Sequence, residues 1–416
     1  SSTMSNMFSK SKIDTDPVKI DQLLTRGVTE VIDREQLKKA LLSGKQLRVK
    51  LGFDPTGAKI HIGRAIVLRK LREFQKLGHK VVFIVGDFTA RIGDPSDKLA
   101  KRPMMTQRQV LENLKNYKEQ IGKIVDLKKA EFVFNSAWLK KLTFAEGAEL
   151  AESFTVAQML ARRNFKERFE KGEEISVREF MYPLMQGYDS VKVMADVEIG
   201  GFDQLFNLQA GRVIQPHYGQ PAQNILTIEM LEGTDGRKMS TSWGNVINIT
   251  DLPNDMFGKV MSVKDELVEK YFKLCTDMSD AEIAGLSAHP SATGTPGLVA
   301  KEKKLRLARE IVTLYSTKAL AEKAQADWEA QFSRGEMPSE MPEVTIDAHA
   351  MSLVDLLVLT QLVSSKSEAR RLIEQGGVRI NEVKKTDPSE TVAIEGDMVV
   401  QVGPRKFVRL VVKNVN

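Results

Sequence analysis

The sequence lacks the residues that build disulfide frameworks and thiolate metal clusters. It contains one cysteine, Cys275, among 416 residues. A single thiol forms no intramolecular disulfide and supplies no zinc or iron–sulfur cluster, so those classes of site are excluded. A protein without disulfides is suited to a reducing compartment, and we therefore expect a cytoplasmic location.

Long hydrophobic runs are missing as well. VVFIV, at residues 81–85, is a typical apolar stretch, whereas a helix that crosses a bilayer needs roughly 20 apolar residues. A run of this length suits a buried strand. We expect no membrane partner.

What is present is the composition of a globular protein with a basic bias. Hydrophobic residues make up 42% of the chain and charged residues 28%, and the formal net charge is +6. The length allows two or three domains with cores of ordinary size. The positive charge is compatible with a polyanionic partner without requiring one.

The first unit in the pattern is strand, helix, strand. QLRVKLGFD (46–54) predicts a strand that ends in a loop, and the next segment carries apolar residues at helical spacing up to Gly78. HKVVFIVGD (79–87) is a nearly continuous β-branched run, which predicts a strand covered on both faces. This is the spacing of a βαβ unit, so we predict a parallel sheet that binds ligands at the carboxyl ends of its strands.

The rest of the chain divides by pattern. Residues 105–190 and 251–340 look mostly helical, and DVEIGGFDQLFN returns to a strand with a glycine pair. Residues 334–349 concentrate prolines and acids, which indicates a linker. Residues 352–416 follow as a small separate unit with helices first and short strands after them.

His61, Gly63 and Arg64 lie in the first predicted helical turn after a strand. Free N–H groups and the helix dipole favour anions there, and glycine lets a phosphate or a base approach the backbone. A capping or packing histidine is the alternative. This motif alone does not decide between the two.

Polar residues gather at two further places. Asp94 follows the predicted carboxyl end of a core strand, where carboxylates bind substrates, although GDFTARIGDPS also suits plain turns. Tyr182, Gln186 and Asp189 share one face of a predicted helix. A solvated face is the usual explanation, but the strongly apolar neighbours favour a face that lines a cavity.

The loop KMSTS (238–242) completes an ordered set of motifs. HIG after a first strand, GGFDQ after a later one and KMS in a loop occur in that order, together with GFDPT, TVAQML and YPLMQGYDSV. With these motifs the chain resembles the class I aminoacyl-tRNA synthetases and, within them, the bacterial tyrosyl-tRNA synthetases. The resemblance runs from about residue 20 to the C-terminus. With Lys50 in the first strand and Glu198 before the glycine pair, it resembles one branch of that family in particular.

The resemblance implies an α/β fold. A Rossmann-like parallel-sheet catalytic domain is followed by an α-helical domain and a small α+β RNA-binding domain. The implied bounds are 20–246, 247–340 for the helical anticodon-side domain, and 350–416. A helical insertion at about 125–180 would form a homodimer interface.

The resemblance also implies the substrates: L-tyrosine, ATP and tRNA(Tyr). Mg²⁺ would accompany ATP, with no prosthetic group and no metal site built by the protein. Tyrosine would be activated to tyrosyl-adenylate and then transferred to the 3′ end of the tRNA.

The resemblance assigns roles to individual residues. The tyrosine-binding set is Asp94, Tyr182, Gln186, Asp189, Lys50 and Glu198. The ATP-binding set is Asp54, Thr56, Gly63, Lys98, Arg102, Asp203, Gln204 and Lys238, and the catalytic set is His61, Arg64, Lys238 and Thr241. The tRNA-binding set is a basic cluster made of Lys366, Arg370, Arg371, Arg379, Lys384 and Lys385.

Three positions depart from the usual family pattern. Arg64 stands where a histidine is usual, Thr241 where a lysine is usual, and Phe202 where a small hydroxylated residue is usual. We hypothesise that Arg64 compensates for Thr241 by donating its planar pair of N–H groups to phosphate. A solvent-facing Arg64 is the alternative. The departures also leave open a diverged relative that regulates through RNA binding or passes activated tyrosine to an acceptor other than tRNA.

Overall fold

The computed structural model of the chain describes residues 13–55, 59–94, 106–288, 296–334, 341–347, 349–395, 397–403 and 406–412. The chain forms two compact units. One comprises residues 1–250 with 269–287, and the other comprises residues 251–268 with 288–416. Within the described ranges, every helix is too short or too polar to span a bilayer.

Both helices and strands occur along the described residues. The strands are β1 (Val28–Ile32), β2 (Arg48–Phe53), β3 (Lys80–Val85), β4 (Glu131–Phe134), β5 (Val197–Gly201), β6 (Asn224–Ile228), β7 (Glu343–Ile346), β8 (Ala350–Ser352), β9 (Val378–Ile380), β10 (Val383–Lys385), β11 (Thr391–Ala393), β12 (Val399–Val402) and β13 (Lys406–Val412). The α-helices are α1 (Pro17–Thr25), α2 (Arg34–Leu42), α3 (Ile62–Lys76), α4 (Gln107–Ile121), α5 (Ser136–Leu139), α6 (Phe144–Ala151), α7 (Val156–Leu160), α8 (Arg163–Glu170), α9 (Val177–Val193), α10 (Leu205–Ile214), α11 (Pro253–Met261), α12 (Val268–Cys275), α13 (Asp280–Ala288), α14 (Pro296–Tyr315), α15 (Lys318–Arg334), α16 (Leu353–Leu359) and α17 (Lys366–Glu374).

The first unit is built on a six-stranded sheet with the order β1-β6-β5-β2-β3-β4. Neighbouring strands are parallel except for β1 with β6. β2 and β3 pair from Arg48 with Lys80 to Phe53 with Val85, and α3 connects them. The predicted βαβ unit and parallel sheet are confirmed.

Burial explains the sequence of β3 and its helix. The residues from Val81 to Val85 are at most 1% exposed, so both faces of the strand are covered, as its continuous apolar run predicts. Helix α3 buries Ile66 and Phe74 on its inner face. Gly78 follows it with a φ of +94°, which glycine adopts readily and other residues do not. The predicted end of this helix is confirmed.

Helix α9 carries the predicted polar face. A capping box closes its N-terminus, in which the Glu179 carboxylate accepts the backbone N–H of Ser176 at 3.0 Å. Tyr182 is 7% exposed and Asp189 is 3% exposed. The polar face therefore lies inside the protein and does not face solvent.

The stretch 105–190, predicted to be mostly helical, also contains the strand β4. β4 pairs in parallel with β3, from Val82 with Glu131 to Val85 with Phe134. It extends the sheet at one edge. A strand of this length leaves too short a pattern to be distinguished from the helices around it.

The second unit contains a five-stranded sheet with the order β10-β9-β12-β13-β7 and a two-stranded sheet of β11 and β8. β7 pairs in parallel with β13, from Glu343 with Arg409 to Ile346 with Val412. The linker interpretation of 334–349 is therefore wrong for Glu343–Ile346. Polar and apolar side chains alternate along these four residues, and burial of the apolar ones outweighs the prolines and acids nearby.

A separate hydrophobic core supports these two sheets. Its members lie between residues 344 and 412 and include Leu353, Leu356, Leu357, Ile373, Val400 and Leu410. This part of the chain therefore packs around its own core. The division into domains at 20–246, 247–340 and 350–416 stays a prediction.

Candidate functional site

The carboxyl ends of parallel strands bring the candidate site together. Asp54 directly follows β2, Gly86 follows β3, and a 3₁₀ helix at Phe202–Gln204 follows β5. These segments are far apart in the sequence. Because neighbouring parallel strands end at the same edge of a sheet, they meet there.

Asp54 is held by two hydroxyl groups. Thr89 Oγ1 donates to Oδ1 at 2.7 Å, and Tyr182 Oη donates to Oδ2 at 2.9 Å. Gly86 makes room, since a Cβ atom there would lie 1.8 Å from Asp54 Oδ1. Burial raises the pKa of Asp54 to about 7, although both hydrogen bonds lower it. Asp54, predicted on the nucleotide side, is thus joined to Tyr182, predicted on the amino-acid side.

Asp189 is buried and accepts two hydrogen bonds from the protein. Trp138 Nε1 donates to Oδ1 at 2.7 Å, and Asn135 Nδ2 donates to Oδ2 at 3.2 Å. Burial raises the pKa of Asp189 to about 7, while Lys50 and both donors lower it. Each oxygen of the ionised carboxylate has further lone pairs, so the group can also accept a hydrogen bond from a ligand. Sequence reasoning missed both donors, although their position directly after β4 could have indicated them.

The raised pKa predicts how Asp189 affects folding at different pH values. Between its ordinary value of 3.8 and about 7, the folded protein holds a proton that the unfolded chain releases. The free energy of unfolding of the wild type, relative to Asp189→Asn, should therefore fall as the pH rises through this range. Urea unfolding of both proteins at several pH values measures this difference in the free energy of unfolding. The contribution of the buried histidines cancels in the difference, because they titrate in both proteins. A difference that is constant with pH would contradict the prediction.

A fully buried ion pair lies against the same helix. Lys50 Nζ is 3.0 Å from Glu198 Oε1, and both side chains are 0% exposed. Lys50 also donates to Ser190 Oγ and to the Gln186 backbone oxygen, each at 2.8 Å. Glu198 accepts from Gln186 Nε2 at 3.0 Å and from Gln223 Nε2 at 2.5 Å. Lys50 and Glu198, predicted to bind tyrosine, therefore hold Gln186 by both its backbone and its side chain.

Asp94 accepts hydrogen bonds from the segment that follows β5. Gln204 Nε2 donates to Oδ2 at 3.0 Å, and Asn207 Nδ2 donates to Oδ1 at 3.3 Å. Arg162 Nη2 lies 4.0 Å from Oδ1. The predicted amino-acid and nucleotide residues therefore form one continuous polar group.

His61 is the N-cap residue of α3, and its Nδ1 accepts the backbone N–H of Arg64 at 3.3 Å. Burial, together with the smaller effects of the charges on Arg64 and Lys238, lowers the pKa of His61 to about 4. The ring is therefore neutral at pH 7, with its proton on Nε2. The capping alternative is confirmed, and it leaves one N–H for a ligand. Gly63 keeps this turn compact, since a Cβ atom there would lie 3.1 Å from His61 Nδ1.

The loop that contains Lys238 is fixed by Asn245. Asn245 Oδ1 accepts the Ser240 backbone N–H at 2.8 Å, and Asn245 Nδ2 donates to the Lys238 backbone oxygen at 3.1 Å. The Lys238 side chain reaches Asp203 Oδ2 at 3.1 Å. Thr241 is exposed at the start of a 3₁₀ helix. Lys238 and Asp203, both predicted to bind ATP, are thus brought together.

Arg64 is exposed, and its Nη1 donates to Tyr117 Oη at 3.2 Å. The predicted ATP-binding residues Thr56, Lys98 and Arg102 lie outside the described residues. Among the residues that are described, no three His, Cys, Asp or Glu side chains are arranged to hold a metal ion.

The predicted basic cluster lies in the second unit. Its exposed members are Lys366, Arg370 and Arg371 on α17, Arg379 on β9 and Lys384 on β10. Lys385 differs, since it is half-buried. Lys385 forms an ion pair with Glu390, and Lys366 forms one with Asp355 at 2.8 Å. The exposed cations can meet a polyanion, and Lys366 would do so in exchange for Asp355.

Two family descriptions match the chain. Residues 42–333 match the family described as "tRNA synthetases class I (W and Y)". Residues 333–407 match the "Tyrosine--tRNA ligase SYY-like C-terminal domain".

Relatives match over nearly the whole length. A tyrosine–tRNA ligase of Moorella thermoacetica is 46% identical over 404 residues, which are 96% of this chain and 97% of that protein. One of Thermotoga maritima is 47% identical over 390 residues, 94% of this chain and 96% of that protein. Among solved structures, a C-terminally truncated mitochondrial tyrosyl-tRNA synthetase of Coccidioides posadasii matches with a TM-score of 0.59 and 26% identity, over 74% of this chain and 91% of that one.

Proposed function

The chain belongs to the class I tRNA synthetases of the tryptophan and tyrosine group, and from its site we infer that it is the ligase for tyrosine. The enzyme activates L-tyrosine with ATP to tyrosyl-adenylate and transfers the tyrosyl group to the 3′ end of tRNA(Tyr). The observation that carries this assignment is the buried polar face of α9, with Tyr182 and Asp189 inside the protein. The relatives named above, at 46% and 47% identity, support it.

The tyrosine pocket uses this face in two ways. Asp189 accepts the phenolic hydroxyl, for which its two protein donors leave lone pairs free. Asp94, Tyr182 and Gln186 hold the α-ammonium group. Phenylalanine fits the same space but leaves a buried carboxylate without its ligand partner, which is costly in a dry site.

Activation requires positioning more than proton transfer. The tyrosine carboxylate is ionised at neutral pH, so its attack on the α-phosphate of ATP needs no strong base. The protein aligns the two substrates and stabilises negative charge on the departing pyrophosphate. His61 Nε2–H and the N-terminus of α3 are suited to this, with Mg²⁺ as part of the ATP complex. Lys238 can leave Asp203 for a phosphate, since 55% of its side chain is exposed.

The direct test is tyrosine-dependent ATP–pyrophosphate exchange, followed by charging of tRNA(Tyr). The proposal requires both activities. Exchange without charging would indicate an acceptor other than tRNA. Absence of both in a folded protein that binds RNA would indicate a regulator built on a synthetase scaffold.

We propose that the basic cluster of the second unit binds tRNA phosphates. Removal of residues 341–416 should leave pyrophosphate exchange nearly unchanged and reduce tRNA charging by roughly tenfold or more at moderate salt. The cut is placed before β7 because that strand belongs to the C-terminal sheet.

A matched pair of full-length variants separates charge from folding. Arg370→Gln with Arg371→Gln removes two exposed cations and should raise the KM for tRNA, with a weaker dependence on salt. Lys385→Gln removes a cation of the same cluster that already has Glu390 as a partner, and it should affect charging less. Equal loss of exchange and charging in these folded variants would contradict the assignment.

We propose that the chain forms a homodimer through the helices from α6 to the start of α9. This region exposes large apolar side chains: Phe144 at 95%, Val156 at 64%, Phe169 at 63% and Val177 at 76%. Exposed apolar surface of this kind is typical of an interface. Phe144→Glu with Val177→Glu should shift sedimentation from dimer to monomer, whereas Val18→Glu, at an exposed site outside this region, should not. An unchanged dimer would place the interface elsewhere.

A further inference from the structure

The strongest unexplained group is the guanidinium of Arg162. The residue is 9% exposed, and its Nη1 and Nη2 are both buried without a hydrogen-bond partner among the described residues. Leaving such donors unpaired is costly, and most buried polar atoms are satisfied. No role in the sequence analysis or in the pocket described above accounts for it.

Two other arginines of the same unit, the buried Arg69 and the half-buried Arg168, are paired. Arg69, which is 7% exposed, donates to Asp277 Oδ1 at 2.7 Å. Arg168 donates to both carboxylate oxygens of Glu179, at 2.5 and 3.1 Å. Arg162 differs from them because, within the described residues, its terminal N–H groups make no hydrogen bond and Asp94 is 4.0 Å away.

Two aromatic rings fix the position of this charge. The guanidinium carbon lies 5.5 Å from the ring centre of Phe165 and 5.1 Å from that of Phe206. Phe206 packs against the same hydrophobic cluster as Tyr182 and Met185 of α9. The group is thus held rigidly beside the polar face that forms the tyrosine pocket.

The surrounding charges belong to both substrates' sites. Burial lowers the pKa of Arg162, and it is raised by Asp94 first and then by Tyr182 and Asp203. Asp94 and Tyr182 are on the amino-acid side, and Asp203 is on the ATP side. An arginine in this place stays charged and lies near carboxylates predicted for the amino-acid site and for the ATP site.

The spacing to Asp94 fits an amino acid. Arg162 Nη2 and Asp94 Oδ1 are 4.0 Å apart, too far for a hydrogen bond but close enough to act on one small ligand. In an α-amino acid, the ammonium and carboxylate groups are both bonded to the α-carbon and therefore lie close together. With Asp94 on the ammonium group, the terminal N–H groups of Arg162 are close enough to reach the carboxylate of the same ligand.

We propose that Arg162 is a substrate-binding residue that donates its free N–H groups to the α-carboxylate of tyrosine and so orients it for attack on ATP. The inference rests on the proposed function and adds a residue to it. A guanidinium offers two parallel N–H groups to a carboxylate, which fixes direction as well as position. No covalent step passes through Arg162.

The test compares two ligands that differ in the carboxylate alone. Tyrosinol has a hydroxymethyl group in its place. In the full-length enzyme, Arg162→Gln should bind tyrosine roughly ten- to hundredfold more weakly, with the affinity for tyrosinol nearly unchanged. Arg162→Lys keeps the charge without the two parallel N–H groups and should recover part of the lost affinity for tyrosine. Titration calorimetry measures both affinities.

A matched control and a stability measurement exclude a structural role. Arg69→Gln removes a guanidinium that is equally buried but paired outside the pocket, and it should leave the tyrosine-to-tyrosinol ratio unchanged. Arg162→Met should not unfold at a lower temperature than the wild type, since it removes a buried charge whose terminal N–H groups make no hydrogen bond among the described residues and whose ion pair with Asp94 is long, at 4.0 Å.

Several outcomes would overturn the proposal. Equal weakening for both ligands, or a lower unfolding temperature of Arg162→Met, would make Arg162 a packing residue. A raised KM for ATP with unchanged tyrosine affinity would assign it to the nucleotide. A wild type that binds neither ligand would instead reject the proposed function itself.

Discussion

Asp189→Ala should lower the preference for tyrosine over phenylalanine by roughly ten- to hundredfold. In the wild type, phenylalanine leaves the buried carboxylate without a hydroxyl donor, and that penalty accounts for its rejection. The variant removes the penalty for phenylalanine and also the acceptor for the tyrosine hydroxyl, so the kcat/KM values for the two amino acids should converge. The measurement is kcat/KM for pyrophosphate exchange with each amino acid.

Two further variants sharpen this experiment. Asp189→Asn keeps the size of the side chain and removes its charge, so it should also relax the preference. Asp126→Asn changes an exposed aspartate outside the pocket and should leave the ratio as in the wild type. An unchanged ratio in both Asp189 variants would remove this residue from the pocket.

Glu198→Ala should lower the free energy of unfolding by about 3–5 kcal/mol. It leaves the ammonium group of Lys50 buried at 0% exposure without its counter-charge. It also removes the acceptor for the Gln186 side chain, so tyrosine binding should weaken along with stability. Urea unfolding of the first unit and titration with tyrosine measure the two effects.

The double variant Lys50→Met with Glu198→Leu tests the cause. Without either charge, the core no longer contains an unpaired ion, and most of the lost stability should return. Glu112→Ala is the control, because its ion pair with Arg108 has side chains that are 61% and 88% exposed and surface pairs stabilise little. A double variant as unstable as Glu198→Ala would mean that packing, and not charge, is responsible.

The sequence was informative wherever the signal is local. The alternation of strand and helix between residues 46 and 87 and the stop at Gly78 depend on neighbouring residues, and the parallel sheet follows from them. The family resemblance rests on the ordered set of short motifs that includes the one at His61. The position of the ligand-binding site at one edge of the sheet also follows, because the carboxyl ends of neighbouring parallel strands lie at the same edge.

Contacts between distant segments could not be predicted in this way. The hydrogen bond from Tyr182 to Asp54 joins residues 128 positions apart, and nothing in either segment specifies it. Burial of Lys50 is equally hidden, since a lysine in a strand is most often exposed. Arg162 stands in a charged, helical stretch whose pattern looks like a solvated surface. In each case tertiary packing decides the environment of the side chain.

The parallel pairing of β7 with β13 bears on how the chain is made. β7 precedes β13 by about sixty residues, yet β13 is the strand that joins it to β12. During synthesis on the ribosome, β7 therefore has no partner strand in this sheet until β13 has been made. A nascent chain halted between the two would present two open strand edges at once, β7 and β12, which favours aggregation and marks it for proteolysis. Completion of this sheet is thus a late step in the folding of the second unit.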